Sequence, residues 1–452
     1  MLTVSENILT QYIDRCLAVT DLRDTARSLA LPEVFAKSYG DRLLDRPIFV
    51  TGSEIEQFAD DLGALFGILT SIPEILFDCD LRAYCSALGM DDRLAALMCR
   101  GATGRPPVHG RADAYHDGTS FKLLEFNIGS ELGGTDFAQL NRAFLGMPEF
   151  GEFARQQALG YVDTAGRVAL ALRAAAARVT GSDEPVVALL ESTGGLAGHE
   201  HVFLALREAM CRHGIELRLG EIHEVAERNG KITLNGTPID AILRYFVADE
   251  LAGPAQEESL NQILRADAAD KTVLFTPLEG GLFASKGSLA LLREPRLLES
   301  LTAAQRQVIN RAVPWTRLLA NGRQRREGDR AELVDFCREN RENLVIKPGV
   351  GYGAVGIVLG RETAPDKWDK ALADCAHGDH VVQELVTPAS EPVVNPYSGV
   401  IEDWRANWGI FVDGGGYGGA FVRALKAADG SVISYSNPGT RGGCVFSYLG
   451  EP

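Results

Sequence analysis

The stretch NLVIKPGVGYGAVGIVLG, residues 343–360, decides how this sequence is interpreted. Its glycines, beginning at Gly351, match the spacing GxGxxG, which in a dinucleotide-binding fold lies between a strand and a helix. Here the apolar run Ile357–Leu359 follows the glycines and predicts a second strand instead. A protein kinase would place its lysine on a strand after such a loop, whereas Lys347 precedes the loop.

A lysine that ends a hydrophobic strand and is followed by a glycine hairpin is suited to clamp a nucleotide. The Lys347 ammonium would meet the α- and β-phosphates, and backbone N–H groups around Gly351, Tyr352 and Gly353 would cover the γ-phosphate. The alternative is a surface lysine beside a glycine-rich hairpin. This stretch alone leaves both interpretations open.

A second polar pattern lies at residues 110–134, GRADAYHDGTSFKLLEFNIGSELGG. The central Asp-Gly pair predicts a hairpin, with Arg111 and Asp113 on one face of its first strand, and Glu125 and Asn127 on one face of its second. Asp113, Glu125 and Asn127 would offer three oxygen ligands of the kind that Mg²⁺ prefers, and Arg111 a cation for a transferring phosphoryl group. The alternative is a solvated hairpin face, but Glu125 and Asn127 interrupt an apolar run, where unpaired polar groups are costly.

Composition and charge limit the class of protein. The 452 residues suffice for two or three domains, and the formal net charge of −16 argues against nucleic acid or an anionic membrane surface as a partner. No apolar run reaches the length of a membrane span, and the N-terminus lacks the features of a signal peptide. The eight cysteines show no metal-ligand spacing, which predicts buried, reduced side chains and a cytoplasmic protein.

The coarse pattern of elements is that of a mixed α/β protein. The first hundred residues show mainly helical spacing of apolar residues, and residues 186–191 (VVALLE) are typical of a buried parallel strand. Strands and helices alternate from there to about residue 250, and the last hundred residues are rich in strands. His199, after the glycines that follow strand 186–191, is expected to cap or pack rather than to bind substrate.

Taken together, these motifs resemble those of the ATP-grasp superfamily. Its members carry a strand lysine with a glycine loop, an adenine hinge, arginine strands that face phosphate, an Asn…Gly-Gly element, and finally Arg-x-Asp and Glu-x-Asn. After Lys347 and its loop, the similar elements of this chain are the hinge residues Gln383, Glu384 and Val386, the arginines Arg405 and Arg423, and the segment 437–443. Lys286 resembles the first nucleotide-contacting lysine of the family.

The last motifs of the family, here Arg111-x-Asp113 and Glu125-x-Asn127, stand near the N-terminus of this chain. That order is similar to the circularly permuted ATP-grasp proteins, which include glutathionylspermidine-synthase-like ligases. The resemblance implies an α/β (α+β) ATP-grasp fold that is circularly permuted. Its parts would be a helical N-terminal region (1–104), a permuted part with the metal-ligand hairpin and helices (105–180), a Rossmann-like pre-ATP-grasp domain (181–300) and a nucleotide-binding domain (301–452).

For function, the resemblance implies an ATP-dependent carboxylate–amine ligase that uses ATP and Mg²⁺ and forms an acyl phosphate. The implied catalytic residues are Arg405, Arg423 and Arg111, the implied metal ligands are Asp113, Glu125 and Asn127, and the implied cofactor contacts are Lys347, Lys286, Gly351, Tyr352, Gly353, Gln383, Glu384 and Val386. The partners would be a small-molecule or peptide carboxylate and an amine, with no nucleic acid and no membrane; a homo-oligomer is one of the states left open. A protein that binds nucleotide without ligation and a small-molecule phosphotransferase are the alternatives.

Overall fold

A computed structural model describes residues 4–18, 20–251, 253–319, 327–351, 353–375 and 379–450. The helices in these ranges are α1 (Val4–Ala18), α2 (Thr20–Arg23), α3 (Glu33–Tyr39), α4 (Gly52–Phe77), α5 (Leu81–Ala87), α6 (Asp92–Met98), α7 (Ala138–Gly146), α8 (Pro148–Gln156), α9 (Thr164–Ala176), α10 (Gly195–Cys211), α11 (Pro254–Ala268), α12 (Gly280–Ala284), α13 (Lys286–Leu291), α14 (Pro295–Ser300), α15 (Ala303–Ala312), α16 (Glu327–Glu339) and α17 (Pro365–Asp374). The strands are β1 (Ile48–Thr51), β2 (His109–His116), β3 (Phe121–Ile128), β4 (Val186–Glu191), β5 (Glu216–Glu221), β6 (Val225–Arg228), β7 (Lys231–Leu234), β8 (Thr237–Pro238), β9 (Ala241–Arg244), β10 (Val273–Phe275), β11 (Thr316–Leu318), β12 (Leu344–Pro348), β13 (Val358–Leu359), β14 (His380–Glu384), β15 (Ser390–Val394), β16 (Ile401–Asp413), β17 (Gly416–Lys426) and β18 (Arg441–Tyr448). The predicted mixed α/β class is confirmed.

The largest sheet joins distant parts of the chain. Its strand order is β1-β18-β17-β16-β2-β3, with β15 also paired to β16. The hairpin β2–β3 therefore lies beside the C-terminal strands, with Asp113 opposite Gly409 in the register. A Cβ at Gly409 would lie 2.3 Å from the Phe421 ring, so only glycine fits there. The sheet thus brings the upstream polar motif next to the strands that carry Arg405 and Arg423.

The hairpin predicted for residues 110–134 is confirmed. β2 and β3 pair antiparallel, with Arg111 opposite Asn127 and Asp113 opposite Glu125. At the turn, Asp117 Oδ1 accepts hydrogen bonds from the backbone N–H groups of Thr119 and Ser120, and Gly118 has a φ of 96°, which a side chain would strain. The pairing places the four polar residues of the motif side by side.

A four-stranded parallel sheet, in the order β10-β9-β4-β5, forms the α/β part of the chain. Strand 186–191, predicted as a buried parallel strand, is β4, and its side chains from Val187 onward are buried. Helices α9 and α10 pack on this sheet through one apolar cluster that includes Leu172, Leu189 and Phe203. The carboxyl ends of β9 and β10 lie next to the hairpin β2–β3. Ser130, two residues after β3, donates its hydroxyl to the carbonyl oxygens of their last residues, 244 and 275.

A smaller antiparallel sheet carries the predicted nucleotide clamp. Its order is β11-β14-β12-β13, and Lys347 of β12 lies opposite Val381 of β14. The strand predicted after the glycine loop is β13, which pairs antiparallel with β12. On the side away from the site, α17 packs on this sheet through Trp368, whose indole N–H donates to Cys337 O.

Residues 1–104 contain a strand as well as the predicted helices. β1 pairs parallel with β18 at the edge of the largest sheet, because Ile48, Phe49 and Val50 form a short buried β-branched and aromatic run. The long helix α4 packs on this sheet and is buried along one side. Within the described ranges no single helix has the length and apolar character to cross a membrane, although α4 and α5 together, bent by 101°, meet those two criteria as a pair.

Candidate active site

Two cavities meet between the largest sheet and the smaller antiparallel sheet. The nucleotide cavity, as we name it, has a volume of about 980 Å³ and is lined by residues of β12, β14 and the segment 431–434. The second cavity, of about 1060 Å³, is lined by residues of β2 and β3 and of the segments 131–133 and 247–248. The residues that line both are Asp113, Glu125, Lys286, Gly351, Gly353 and Arg423. This shared set, the junction, contains half of the charged residues that the sequence predicted as functional.

Lys347 reaches the nucleotide cavity as a buried cation. It is 7% exposed, and its Nζ donates a hydrogen bond of 2.7 Å to Gln383 Oε1. Burial lowers the pKa of Lys347 to about 8; the positive charge of Lys286 acts in the same direction, while Glu125 and Asp113 oppose it. Because a neutral amide holds the ammonium, its charge is uncompensated at close range and available to an anionic ligand.

The predicted hinge forms one wall of the nucleotide cavity. Gln383 is buried, and its Nε2 donates to Thr316 Oγ1 at 3.1 Å. Glu384 and Val386 also line the cavity, and the Glu384 backbone N–H donates to Trp315 O. The apolar part of the lining includes Tyr115, Leu124, Val345, Leu359, Leu385 and Ile433. An apolar slot that runs along a hinge and ends at cations suits a planar base joined to a phosphate chain.

The glycine loop lies over the junction. Gly351 and Gly353 line both cavities, and Gly353 has a φ of 65° that favours glycine. The Gly353 carbonyl accepts a hydrogen bond of 3.2 Å from Ser434 Oγ. Tyr352, which was also predicted to contact the cofactor, lies outside the described residues. The loop is therefore placed to cover a group that bridges the two cavities.

Asp113 is clamped between two arginines. Arg111 Nε donates to Asp113 Oδ1 at 2.8 Å, and Arg423 Nη2 donates to Oδ2 at 2.5 Å. Burial alone would raise the pKa of Asp113, but the two guanidinium groups outweigh it and hold the pKa well below the usual range. Burial would lower the pKa of Arg423, but the charge and hydrogen bond of Asp113, together with the charge of Glu125, outweigh burial and raise the pKa. Asp113 is thus an anion at any physiological pH.

Glu125 and Asn127 complete the predicted metal-ligand set. Glu125 Oε2 lies 2.7 Å from Lys286 Nζ, and both residues belong to the junction. Asn127 Nδ2 donates to Glu125 Oε1 at 3.5 Å, and Asn127 lines the second cavity. Four cations, namely Arg111, Lys286, Lys347 and Arg423, therefore face the carboxylates of Asp113 and Glu125. This formal excess of positive charge suits a polyanionic ligand.

Arg405 and His199 lie apart from these cavities. Arg405 does not line either of them within the described residues; its Nη1 donates to Pro388 O at 2.7 Å and its Nη2 to Asp403 Oδ2 at 3.1 Å. Strand β16 extends past the end of the nucleotide cavity. Arg405 therefore contacts the loop after the hinge, at Pro388, and does not face the cavity. His199 lies at a kink within α10 and lines neither cavity.

Sequence reasoning missed Asn407, which lies two residues after Arg405 on β16. Asn407 is 7% exposed and lines the nucleotide cavity, and its Oδ1 has no hydrogen-bond partner among the described residues. It pairs in the register with Arg423, whose Nε is also buried without such a partner. A polar residue within the apolar run of β16 is the same signal that identified Glu125, and it could have identified Asn407 too.

The residues at the junction fit a nucleotide with a divalent cation. Asp113, Glu125 and Asn127 offer carboxylate and amide oxygens of the kind that Mg²⁺ prefers. Two buried polar atoms beside the cavity, Asn407 Oδ1 and Arg423 Nε, have no hydrogen-bond partner among the described residues, so a ligand could bond to them. In the described ranges, no group of three or more His, Cys, Asp and Glu side chains is positioned to hold a metal ion. A site for Mg²⁺ here would depend on Asn127 and on the nucleotide itself for further oxygens.

Comparisons with known proteins bear on the fold. No family model matches the chain, and no curated protein sequence is similar to it. A glutathione synthetase-like effector from Globodera pallida, solved in its apo form, has a TM-score of 0.54 at 13% sequence identity, over 98% of this chain and 97% of that one. A structure described as a candidate gamma-glutamylcysteine synthetase, from Methylobacillus flagellatus, has a TM-score of 0.42 at 15% identity, over 90% and 89% of the two chains.

The first of these likenesses shows the fold. Over nearly its whole length, this chain has the fold of that glutathione synthetase-like effector. The second, weaker likeness adds nothing to that conclusion. At this level of identity the fold does not carry the activity with it, so the activity has to be argued from the residues of the site.

Proposed function

We propose that this protein is an ATP-dependent ligase that joins a carboxylate to an amine through an acyl phosphate and releases ADP and phosphate. The observation that carries the proposal is the junction, where Asp113, Glu125, Lys286 and Arg423 line both cavities. A ligase of this kind must hold the γ-phosphate of one ligand against the carboxylate of another. Two spaces that share one charged wall meet this requirement, whereas a protein that only binds nucleotide has no use for the second space.

We assign ATP to the nucleotide cavity. Its base would lie in the apolar slot along the hinge, residues 383–386, and its phosphates would point to the junction. Lys347 would donate to the α- and β-phosphates, and Lys286 to the phosphate nearer Glu125. Backbone N–H groups of the glycine loop at Gly351 and Gly353 would cover the γ-phosphate from above.

The residues of the junction would carry the phosphoryl transfer. Asp113, Glu125 and Asn127 would hold Mg²⁺, which would supply positive charge to the phosphate chain. Arg423 and Arg111 are fixed beside Asp113 and would stabilise the charge that spreads over the transferring group. Arg405, through its bond to Pro388, would position the loop after the hinge rather than contact phosphate.

The proposed reaction balances without a covalent bond to the enzyme. An oxygen of the substrate carboxylate forms a bond to the γ-phosphorus, and ADP leaves with the electron pair of the broken P–O bond. The amine nitrogen then bonds to the carbonyl carbon, and phosphate leaves with the oxygen that the carboxylate supplied. The ammonium substrate gives up two protons in all, one of which ends on phosphate and one in solvent.

The chain order supports a circular permutation of the ATP-grasp fold. The hairpin β2–β3, which precedes the nucleotide-binding strands in the sequence, pairs with β16, which follows them. We propose that this hairpin is the displaced C-terminal part of the family's domain. On that basis residues 105–180 and 301–452 build the catalytic unit, and residues 181–300, which include the parallel sheet, form the wall of the second cavity at residues 244–248.

The proposal is tested by product analysis. Purified protein is incubated with Mg-ATP and pools of amino acids, short peptides and polyamines, and the products are identified by mass spectrometry. We expect ADP and phosphate, together with a new mass equal to acid plus amine minus water. AMP and pyrophosphate would overturn the acyl-phosphate route, and a phosphorylated product formed without an amine would identify a phosphotransferase. ATP binding without turnover in any pool would favour the non-ligating alternative.

A further inference from the structure

The second cavity contains a buried ion pair that the proposed phosphoryl transfer does not use. Arg244 and Glu131 line this cavity but not the nucleotide cavity. Arg244 Nη2 donates to Glu131 Oε2 at 2.6 Å. Arg244 is 1% exposed, whereas the Glu131 side chain is 20% exposed, so the carboxylate is the member of the pair that faces the cavity.

Arg244 is occupied by the protein itself. Its Nε donates to Thr276 O and its Nη1 to Phe246 O, both at 2.7 Å. Its donors are therefore taken up by the protein, and its bond to Oε2 fixes the direction of the Glu131 carboxylate. No hydrogen bond from a described residue reaches Glu131 Oε1, which leaves that oxygen as an acceptor toward the cavity.

The segment before Glu131 is anchored on two strands. The Ser130 hydroxyl donates to Arg244 O at 2.8 Å and to Phe275 O at 3.0 Å. Its oxygen accepts a hydrogen bond of 2.9 Å from the Thr276 N–H. A Cβ at Gly129 would lie 2.5 Å from Glu131 Oε2, so the carboxylate occupies the space that the glycine leaves. This anchoring is at the carboxyl ends of parallel strands β9 and β10, the edge where α/β sheets bind ligands.

The charges of the second cavity are divided between its two parts. Arg111, Lys286 and Arg423, with their partners Asp113 and Glu125, belong to the part at or beside the junction, where a phosphate and a carboxylate would meet. The segment that carries Glu131 contacts that part through a hydrogen bond, in which Arg111 Nη1 donates to Gly133 O at 2.8 Å. The Glu131 carboxylate thus lies close to, but outside, the ion-paired cluster, and its partner is the buried Arg244 rather than a cation of the junction.

We infer that Glu131 is the specificity group of the acceptor subsite and binds the ammonium of a cationic amine substrate. The inference rests on the proposed ligase function and names the class of its second substrate. A carboxylate that is partly exposed and fixed in direction by its bond to a buried arginine is suited to accept hydrogen bonds from an ammonium. If the Arg244–Glu131 pair were purely structural, it would be buried to the same extent. Removing the Glu131 charge would then affect charged and uncharged nucleophiles equally.

The test compares a charged with an uncharged nucleophile on one acyl phosphate. Wild-type protein and Glu131→Gln are supplied with Mg-ATP, a pool of amino acids and short peptides as acids, and hydroxylamine, which is uncharged at neutral pH. Hydroxamate formation then reports the acyl phosphate without using the acceptor subsite. Glycine, L-cysteine, putrescine and spermidine are added in turn, and the loss of hydroxamate to an amide measures the use of each amine. Glu250→Gln, an exposed glutamate two residues after the cavity-lining Ala248, is the matched control.

We expect hydroxamate formation within about threefold of wild type in Glu131→Gln, and use of the preferred amine lowered by about tenfold or more, as for a lost charged hydrogen bond. The Glu250→Gln control should use that amine as wild type does. Equal amine use by Glu131→Gln and wild type would overturn the inference, as would hydroxamate formation in wild type that none of the amines reduces. Absence of hydroxamate in wild type would instead overturn the ligase function on which the inference rests.

Discussion

Replacing Lys347 with methionine should separate the cost of burying its charge from the use of that charge in binding nucleotide. The pKa of Lys347 falls from an ordinary value of 10.5 to about 8 in the folded protein. Holding it charged at neutral pH therefore costs about 3 kcal/mol of folding free energy. Methionine removes this cost. It also leaves Gln383 Oε1 without its hydrogen bond of 2.7 Å, and this loss cancels about 1 kcal/mol of the gain. We expect the nucleotide-free variant to be more stable than wild type by about 2 kcal/mol, close to 2 °C in Tm for this chain length.

The same substitution should weaken nucleotide binding. A charged hydrogen bond to phosphate is worth about 1.5–3 kcal/mol, so Kd for Mg-ATP should rise by about 10- to 150-fold. At a nucleotide concentration about 100 times the wild-type Kd, Mg-ATP adds about 2.7 kcal/mol to wild-type stability and less than half of that to the variant. The assay is thermal denaturation with and without Mg-ATP, followed by direct titration of the nucleotide.

A control variant and a pH series make the result decisive. Lys370→Met changes an exposed lysine on α17 and should alter neither stability nor binding. The folded pKa of Lys347 lies below the unfolded one, so the unfolded chain binds the additional proton between pH of about 8 and 10.5. Wild-type stability should therefore rise relative to Lys347→Met as the pH increases through this window. A variant that is less stable than wild type without nucleotide, and binds Mg-ATP equally well, would refute the reasoning.

Three further substitutions test residues at and beside the junction. Glu125→Gln removes the partner of Lys286, which lies 2.7 Å away, and should lower ADP release by about 100-fold or more while the fold is kept; turnover near that of wild type would remove Glu125 from the machinery. Asn407→Ala removes an unpaired buried oxygen, so turnover should fall by about 10- to 100-fold with little loss of stability; a large drop in Tm with normal turnover would instead make Asn407 structural. Arg423→Met leaves Asp113 with one of its two arginines and should lower the free energy of unfolding in urea by about 3–5 kcal/mol; an unchanged midpoint would contradict the buried pair.

Local patterns in the sequence predicted the elements that local chemistry determines. The hairpin around Asp117 follows from alternation and a turn signal, and strand β12 with Lys347 from an apolar run that ends at glycines. The order of polar motifs also placed Lys347 and Glu125 in one site, although 222 positions separate them in the printed sequence. That inference came from family resemblance, since no periodicity encodes which strands pair across the chain.

Residues whose role depends on where a strand meets its neighbours escaped prediction. Arg405 and Asn407 lie on the same face of β16, so alternation cannot distinguish them. The register decides, because Asn407 lies opposite Arg423 at the cavity, whereas Arg405 lies opposite Leu425 beyond it. The Arg244–Glu131 pair is likewise formed by two segments 113 residues apart, and only the packing of the parallel sheet against the hairpin brings them together.

The ion pairs at the junction explain how so many charges can be buried before a ligand arrives. Asp113 is held by two arginines and Glu125 by Lys286, and unpaired charges at these positions would be strongly destabilising. In the proposed Mg-ATP complex, a polyphosphate would draw Lys286 and Arg423 away only if another cation took their places on the carboxylates. A divalent cation can reach those carboxylates only if phosphate takes over the displaced side chains. Nucleotide and metal should therefore stabilise each other in this site, because each relieves the charge imbalance that the other would create.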